Sequence, residues 1–294
     1  MIAAAPPGAG ARQRGCDMKN VLVPVESHST IDSVFATALL FARRFDSYIE
    51  GLPLGPDLPD LVAFDMPVSW TMTDQHTWKE MADESRRRFE SFMIDASVPP
   101  HESAVDKLSW GWAGDSSFGD THVSSYARLF DVCVLGRPGA ERGDARMATA
   151  EAALFDSGRP ILLAPPKAPV ILGDTILIAW NQSMETTRAT AMAMPLLKSA
   201  KKVIVLTIPE HKVEGPTAEQ MAHNLRANGV PAEALERSAK ARGHGEAILE
   251  AATALSADLL VKGAYTQSRL RQMIFGGATS HILAKATLPV FMSS

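Results

Sequence analysis

The amino-acid sequence contains an internal repeat, and this repeat constrains the fold more than any other feature of the chain. An apolar segment that ends at Glu26 resembles one that ends at Asn181, 155 residues later. Residues 131–136 (DVCVLG) resemble residues 258–263 (DLLVKG) at an offset of 127. A chain of 294 residues is long for a single core, so we predict two copies of one domain.

The two copies differ in length. The offset falls from 155 to 127, which places about 28 additional residues before the fourth strand of the first copy. We expect this insertion at residues 53–80, which are rich in Pro, Asp and aromatic side chains. The final apolar segments, which begin at Pro160 and Pro289, are related by an offset of 129. The predicted domains are residues 18–166 (the first copy) and 170–294 (the second copy), with a proline-rich, extended join between them.

Strands and helices are predicted to alternate within each copy. Apolar residues recur at helical spacing from Ile31 to Ala42, directly after the first strand. Residues 203–206 and 259–261 are continuously apolar, as is typical of parallel strands that are covered on both faces. We therefore predict an α/β fold with two tandem, open, mainly parallel five-stranded sheets flanked by helices.

Composition excludes several classes of protein. The net charge of −4 does not favour a nucleic-acid partner, and no apolar run approaches the roughly 20 residues that span a membrane. Two cysteines are too few for a disulfide framework or a structural zinc site and fit a reducing cytoplasm. No histidine pairs with a glutamate in the spacing of a metal site. The predicted location is therefore the cytoplasm, with neither nucleic acid, membrane nor metal as a partner.

The first 17 residues have a composition of their own. They are small, rich in Pro and Gly and contain arginine, and they lack the apolar stretch of about 7–15 residues that a signal peptide requires. We expect residues 1–17 to be a disordered tail. Two origins stay open, a native tail and a start codon that was assigned too early.

A glycine-containing loop follows the fourth strand of the second copy. Gly263 ends this strand, and the pair Gly276-Gly277 precedes a predicted helix. Glycine permits close approach of the backbone, and the amides at a helix start can bind an anion such as phosphate. Ligands of open parallel sheets bind at the carboxyl ends of the strands. The loop and Asn181, which ends the first strand of the same copy, therefore form the candidate site.

These features resemble the universal stress protein family. The resemblance rests on the polar residue that ends strand 1, the Ala-Asp pair before strand 4 and the glycine loop, and it covers residues 19–294 as a tandem, two-domain member. It implies a Rossmann-like fold, in which the loop pattern G-x2-G-x9-G-[S/T] marks members that bind ATP (with Mg²⁺) or AMP. It also implies that loop amides hold the phosphates, that the strand-1 residue lies near the adenosine, and that the last strand forms a dimer.

The second copy matches this loop pattern in part. Gly263 and Gly276 fit the first and third glycines, whereas Thr266 replaces the second glycine and Gly277 replaces the Ser or Thr. Asn181 stands where nucleotide-binding members usually have Asp. By this resemblance, the cofactor-binding residues are Asn181, Gly263, Thr266, Gly276, Gly277, Ala278 and Thr279.

The first copy departs further from the pattern. Gly136 and Gly139 match the first two glycines, but the phosphate-binding glycines are missing, and Glu26 adds a negative charge at the end of strand 1. We expect this copy to be a degenerate site that binds no triphosphate.

Three classes of function remain at this stage. The first is a stress-response sensor or regulatory protein, a homodimer or other homo-oligomer, that binds an adenine nucleotide in its second copy. The alternative is an interaction or scaffold protein of the same fold without a nucleotide. The third class, an enzyme, is disfavoured because no residue is an obvious general base. Weak nucleotide hydrolysis is the one catalytic activity that stays open. The sequence names neither the stress nor the partner.

Overall fold

The computed structural model describes residues 18–55, 73–101, 107–114, 119–139, 143–239, 243–264 and 277–294. The predicted tail, most of the predicted insertion, and Thr266 and Gly276 of the glycine loop lie outside these residues.

The strands follow the predicted segments closely. In chain order they are β1 (Asn20–Val25), β2 (Tyr48–Pro53), β3 (Ser109–Trp112), β4 (Val132–Gly136), β5 (Ile161–Ala164), β6 (Thr175–Ala179), β7 (Lys202–Thr207), β8 (Ala232–Glu236), β9 (Leu259–Gly263) and β10 (Val290–Ser293).

Helices separate most of these strands. They are α1 (Ile31–Phe45), α2 (Thr73–Asp95), α3 (Asp120–Tyr126), α4 (Met147–Glu151), α5 (Met184–Met192), α6 (Met194–Ser199), α7 (Ala218–Ala227), α8 (His244–Ala254) and α9 (Ala278–Lys285). A π-helical turn, Ala152–Asp156, extends α4.

The order of the strands repeats the internal symmetry of the sequence. Across the sheet the order is β3-β2-β1-β4-β5-β10-β9-β6-β7-β8, so each copy has the order 3-2-1-4-5 when its own strands are numbered from one. Neighbouring strands within each copy are parallel. The predicted α/β fold with a mainly parallel sheet is confirmed.

The two copies share one continuous sheet of ten strands rather than two separate sheets. Strands β5 and β10 pair antiparallel, with Leu163 opposite Val290 and Leu162 opposite Phe291. The last strand of each copy would otherwise expose an apolar edge, and this pairing covers both edges at once. The last-strand surface that was expected to form a dimer is thus occupied within the chain.

Two apolar cores, one on each face of the sheet, continue through both copies. Val23 and Val205 belong to the core on one face, and Leu135 and Leu260 belong to the core on the other. Alternate residues of each strand point to opposite faces, so the continuously apolar strands supply both cores. The carboxyl ends of the parallel strands remain available for a site.

Candidate functional site

Asn181 lies just after β6 and is held by the first turn of α5. Its backbone carbonyl accepts a hydrogen bond from the Val213 amide at 3.1 Å. Its side-chain Oδ1 accepts from the Ser183 amide at 3.2 Å and from the Thr186 hydroxyl. Both lone pairs of this oxygen are used, so the amide NH₂ group is the part of the side chain that can donate to a ligand.

Gly263 lies at the end of β9, against the start of α5. A Cβ atom at this position would lie 2.5 Å from the Thr186 amide nitrogen and 2.6 Å from the Glu185 carbonyl carbon. Backbone atoms have no room to give way at such distances. The glycine therefore lets α5 start beside the end of β9, which is a packing reason for this residue.

The predicted helix after the loop is α9, and Gly277 is its N-cap residue. Gly277 has a φ of +106°, which strongly favours glycine over residues with a side chain. Ala278 and Thr279 form the first turn and are buried. The helix start thus carries no side chain at its cap position.

Lys262 is a charged residue of this site that the sequence analysis missed. Its side chain is only 7 % exposed. The Nζ atom donates to the Thr279 hydroxyl at 2.7 Å and to the Gly263 carbonyl at 2.9 Å. Burial lowers the pKa of Lys262 to about 8. The signal in the sequence is a single lysine in an apolar strand, at the position of Leu135 in the first copy.

A chain of contacts connects the described candidate residues. Asn181 binds Thr186, whose amide lies beside Gly263, and Gly263 accepts from Lys262, which also reaches Thr279. The ends of β6 and β9 and the starts of α5 and α9 therefore converge on one place. Thr266 and Gly276 lie outside the described residues.

The equivalent place in the first copy is filled by an ion pair. Arg146 is the N-cap residue of α4 and thus occupies the position that Gly277 has at α9. Its Nε atom donates to Glu26 Oε2 at 2.9 Å, and its amide is 3.3 Å from Glu26 Oε1. The guanidinium also donates to the Gly55 carbonyl at 3.1 Å and lies 3.3 Å from Asp120. A carboxylate of the chain itself faces this helix start.

Burial dominates the electrostatics of the first copy's site. It raises the pKa of the Glu26 carboxyl, although Arg146 opposes this shift. It also lowers the pKa of His28 to about 4, so the imidazole is neutral at physiological pH. A Cβ atom on Gly136 would lie 2.7 Å from His28 Cε1, so the glycine makes room for the buried ring. The first copy therefore fills its site with the side chains of Glu26, His28 and Arg146, whereas the helix start of the second copy has Gly277, which has no side chain.

Other candidate chemistries have little support in the described part of the chain. Residues 18–55 and the other described segments contain no group of three or more His, Cys, Asp or Glu side chains that could hold a metal ion. Cys133 is fully buried, and burial raises the pKa of its thiol, which makes it a poor nucleophile. Among the helices that the structure describes, none has the length and hydrophobicity needed to span a membrane.

Comparison with known proteins agrees with this fold. Residues 173–293 match the model of the universal stress protein family. The structure of a universal stress protein from Archaeoglobus fulgidus DSM 4304 superimposes with a TM-score of 0.72 and 16 % sequence identity, over 95 % of this chain and 97 % of that one. A functionally unknown protein from Pseudomonas aeruginosa PAO1 gives a TM-score of 0.50 and 15 % identity, over 94 % and 92 % of the two chains. No curated protein sequence matches the chain significantly.

These findings define the chain as an α/β protein with the universal stress protein fold over nearly its whole length. Residues 173–293 match the model of a universal stress protein domain, and this match covers less than half of the chain. Because the sequence identities are only 15–16 %, these structural similarities show the fold and nothing about function. The strand order 3-2-1-4-5 occurs twice in the chain, once in β1–β5 and once in β6–β10.

Proposed function

We propose that this chain is a cytoplasmic stress-response regulator whose second copy binds an adenine nucleotide, ATP with Mg²⁺ or AMP. The domains in this proposal are residues 18–166 and 170–294. The observation that carries it is the difference between two equivalent helix starts. The cap residue of α9 is Gly277, without a side chain, whereas that of α4 is Arg146, which is paired with Glu26.

The proposed binding mode follows from this difference. The phosphates lie against the first turn of α9, at Gly277, Ala278 and Thr279, where free amides and the helix dipole favour an anion. The NH₂ group of Asn181 donates to the ribose. Gly263 lets the start of α5 lie beside the end of β9. Thr266 and Gly276 are the other loop residues of this proposal.

The first copy has a supporting role in this proposal. Its Glu26 carboxylate already takes the place of an anion beside the start of α4, so we expect one nucleotide per chain. Arg137 of the same copy donates to the carbonyl of Ala286, at the end of α9. A cation at the carboxyl end of a helix is favoured by the helix dipole. The first copy thus helps to fix the helix whose start would hold the phosphates.

Replacing Gly277 with valine is expected to abolish saturable ATP binding or weaken it by at least tenfold. A valine at a φ of +106° is strained by about 1–3 kcal/mol, so it shifts the helix start and also covers the amides. Equilibrium dialysis with labelled ATP measures the affinity and the number of sites.

The matched control is Gly229→Val. Gly229 also has a positive φ, of +81°, but it lies in the turn before β8, at the opposite end of the strands. This variant should carry a similar folding cost and keep the affinity of the wild type. If wild type shows no saturable binding at millimolar ATP, the nucleotide proposal is wrong, and the alternative of an interaction protein without a nucleotide is favoured.

The remaining parts of the proposal concern activity and assembly. We propose a binding role rather than catalysis, and ATP turnover above the level of Gly277→Val would contradict it. We also propose that any homo-oligomer uses a surface other than the β5 and β10 edges, since those edges pair within the chain. Native mass spectrometry reports bound nucleotide and subunit number together.

A further inference from the structure

The ten-stranded sheet has two outer edges, and they differ in how the chain treats them. At the β3 edge, the Trp110 amide donates to the Pro99 carbonyl at 3.1 Å and the His101 amide donates to the Trp110 carbonyl at 2.7 Å. Strand β8 forms the opposite edge, and no segment of the described chain pairs with its outer side. Unpaired backbone groups at the edge of a sheet can bind a further strand.

The residues of β8 that face outward follow from the alternation along the strand. The amide of Arg237, directly after β8, donates to the Thr207 carbonyl of β7 at 3.1 Å, so odd-numbered residues of this segment bind β7. The backbone groups of Ala234 and Glu236 therefore point outward. Within the described residues, nothing binds these outward N–H and C=O groups.

The sequence of this edge is complementary to itself in the antiparallel direction. Glu233, Leu235 and Arg237 lie on one face of the strand, and all three are at least partly exposed. A second chain that pairs antiparallel about Leu235 brings Glu233 opposite Arg237 of the partner subunit, and Leu235 opposite Leu235 of the partner subunit. Opposite charges and apolar side chains are both favourable as cross-strand pairs.

The same register satisfies the free backbone groups. Ala234 and Glu236 of the partner subunit form a hydrogen-bonded pair and exchange two N–H to O=C bonds, and the symmetry-related pair does the same. A register centred on Ala234 would pair Glu236 with Ala232. The Ala232 amide already donates to the Val230 carbonyl at 2.8 Å, and its carbonyl accepts from Arg226 at 3.0 Å. The register about Leu235 is therefore favoured.

We propose that β8 is a dimer interface, at which two chains pair antiparallel about Leu235 and form one continuous sheet through both subunits. The inference names the surface for the homo-oligomer of the proposed function and does not depend on the nucleotide site. The pairing is symmetric and the β3 edge is covered, so assembly stops at the dimer. So short an interface is at the small end of the known range, and we expect a Kd of roughly 1–100 μM.

A charge exchange tests the register. In Glu233→Arg or in Arg237→Glu, like charges face each other at two symmetry-related places, so the Kd should rise at least about tenfold. The double variant restores opposite charges and should bring the Kd back to within about threefold of wild type. Glu233 also pairs with Lys202 at 2.7 Å, but this pair is exposed and contributes little to stability. Sedimentation equilibrium of the full chain without nucleotide measures the Kd.

A proline tests the backbone pairing. Ala234→Pro removes an N–H group that is unpaired in the single chain, and proline is tolerated in an edge strand at such a position. This variant should be monomeric, whereas Ala234→Ser keeps the N–H group and should dimerise as wild type does. In wild type, hydrogen exchange of the Ala234 and Glu236 amides should slow as the protein concentration rises from about 1 to about 200 μM. If Ala234→Pro fails to fold, the charge exchange decides.

The control for the charge variants is Asp95→Arg, which makes the same change in net charge at the exposed end of α2 and should leave the Kd unchanged. A wild-type protein that stays monomeric at about 200 μM would overturn the interface and leave the nucleotide proposal intact. A dimer whose Kd is the same in all of these variants would lie on another surface, which also overturns the inference. Species larger than a dimer would contradict the closed pairing.

Discussion

Replacing Arg146 with methionine is expected to lower the free energy of unfolding by about 3–5 kcal/mol at pH 7.5. Glu26 is 8 % exposed, and in this variant its carboxylate keeps its burial but loses the guanidinium at 2.9 Å. A buried charge without its partner costs far more than a surface ion pair gains. Urea denaturation, followed by circular dichroism, measures the loss.

The loss should become smaller as the pH is lowered from 7.5 to 5.5. Burial already raises the pKa of Glu26 in the folded protein above that of the unfolded chain, and removal of Arg146 raises it further. A group with a raised folded pKa destabilises the protein as the pH rises through that pKa, because the folded state must then hold the ionised form. At lower pH the carboxyl of the variant takes up a proton, which relieves the cost.

The control for this experiment is Arg86→Met. Arg86 pairs with Glu90 one helical turn away at 2.8 Å, but its side chain is 43 % exposed. Such pairs contribute less than about 1 kcal/mol, so this variant should be nearly as stable as wild type at both pH values. An equal loss for Arg146→Met at pH 7.5 and 5.5 would show that the damage is caused by lost packing rather than by the charge of Glu26.

The strands of this protein could be predicted from the sequence because they are buried on both faces. Segments such as Val203–Leu206 and Leu259–Val261 contain no polar residue, so their ends are easy to locate in the sequence. The internal repeat also predicts corresponding strands in both copies. The pairing of β5 with β10 could not be predicted. Both strands are apolar, but nothing in an apolar strand specifies which edge it will meet or in which direction.

The candidate site was predictable to the extent that it follows from topology. Parallel strands end at the same edge of the sheet, so Asn181 and Gly263 were expected near each other, and the structure connects them through Thr186. The pairing of Glu26 with Arg146 joins residues 120 positions apart, and their spacing carries no signal. Lys262 was visible as the one charge in its strand, but only its burial shows that the charge lies beneath the start of α9.

Replacing Phe291 with alanine should destabilise both copies of the domain together, by about 3–5 kcal/mol. Phe291 lies on β10 opposite Leu162 of β5, is fully buried, and belongs to the core that extends across both copies. Loss of the ring removes apolar contacts and leaves a cavity at the joint. Because the sheet is continuous there, neither copy can keep its last strand in place alone.

Hydrogen exchange followed by mass spectrometry tests this coupling, because peptides from β1 and from β6 report on the two copies separately. In Phe291→Ala the slowest amides of both strands should lose protection by the same free energy. Leu129→Ala is the control, since Leu129 is 69 % exposed and its truncation should cost less than about 0.5 kcal/mol. A loss of protection confined to β6, with β1 unchanged, would mean that the copies unfold independently. The first copy could then not support α9 in the way that the contact between Arg137 and Ala286 suggests.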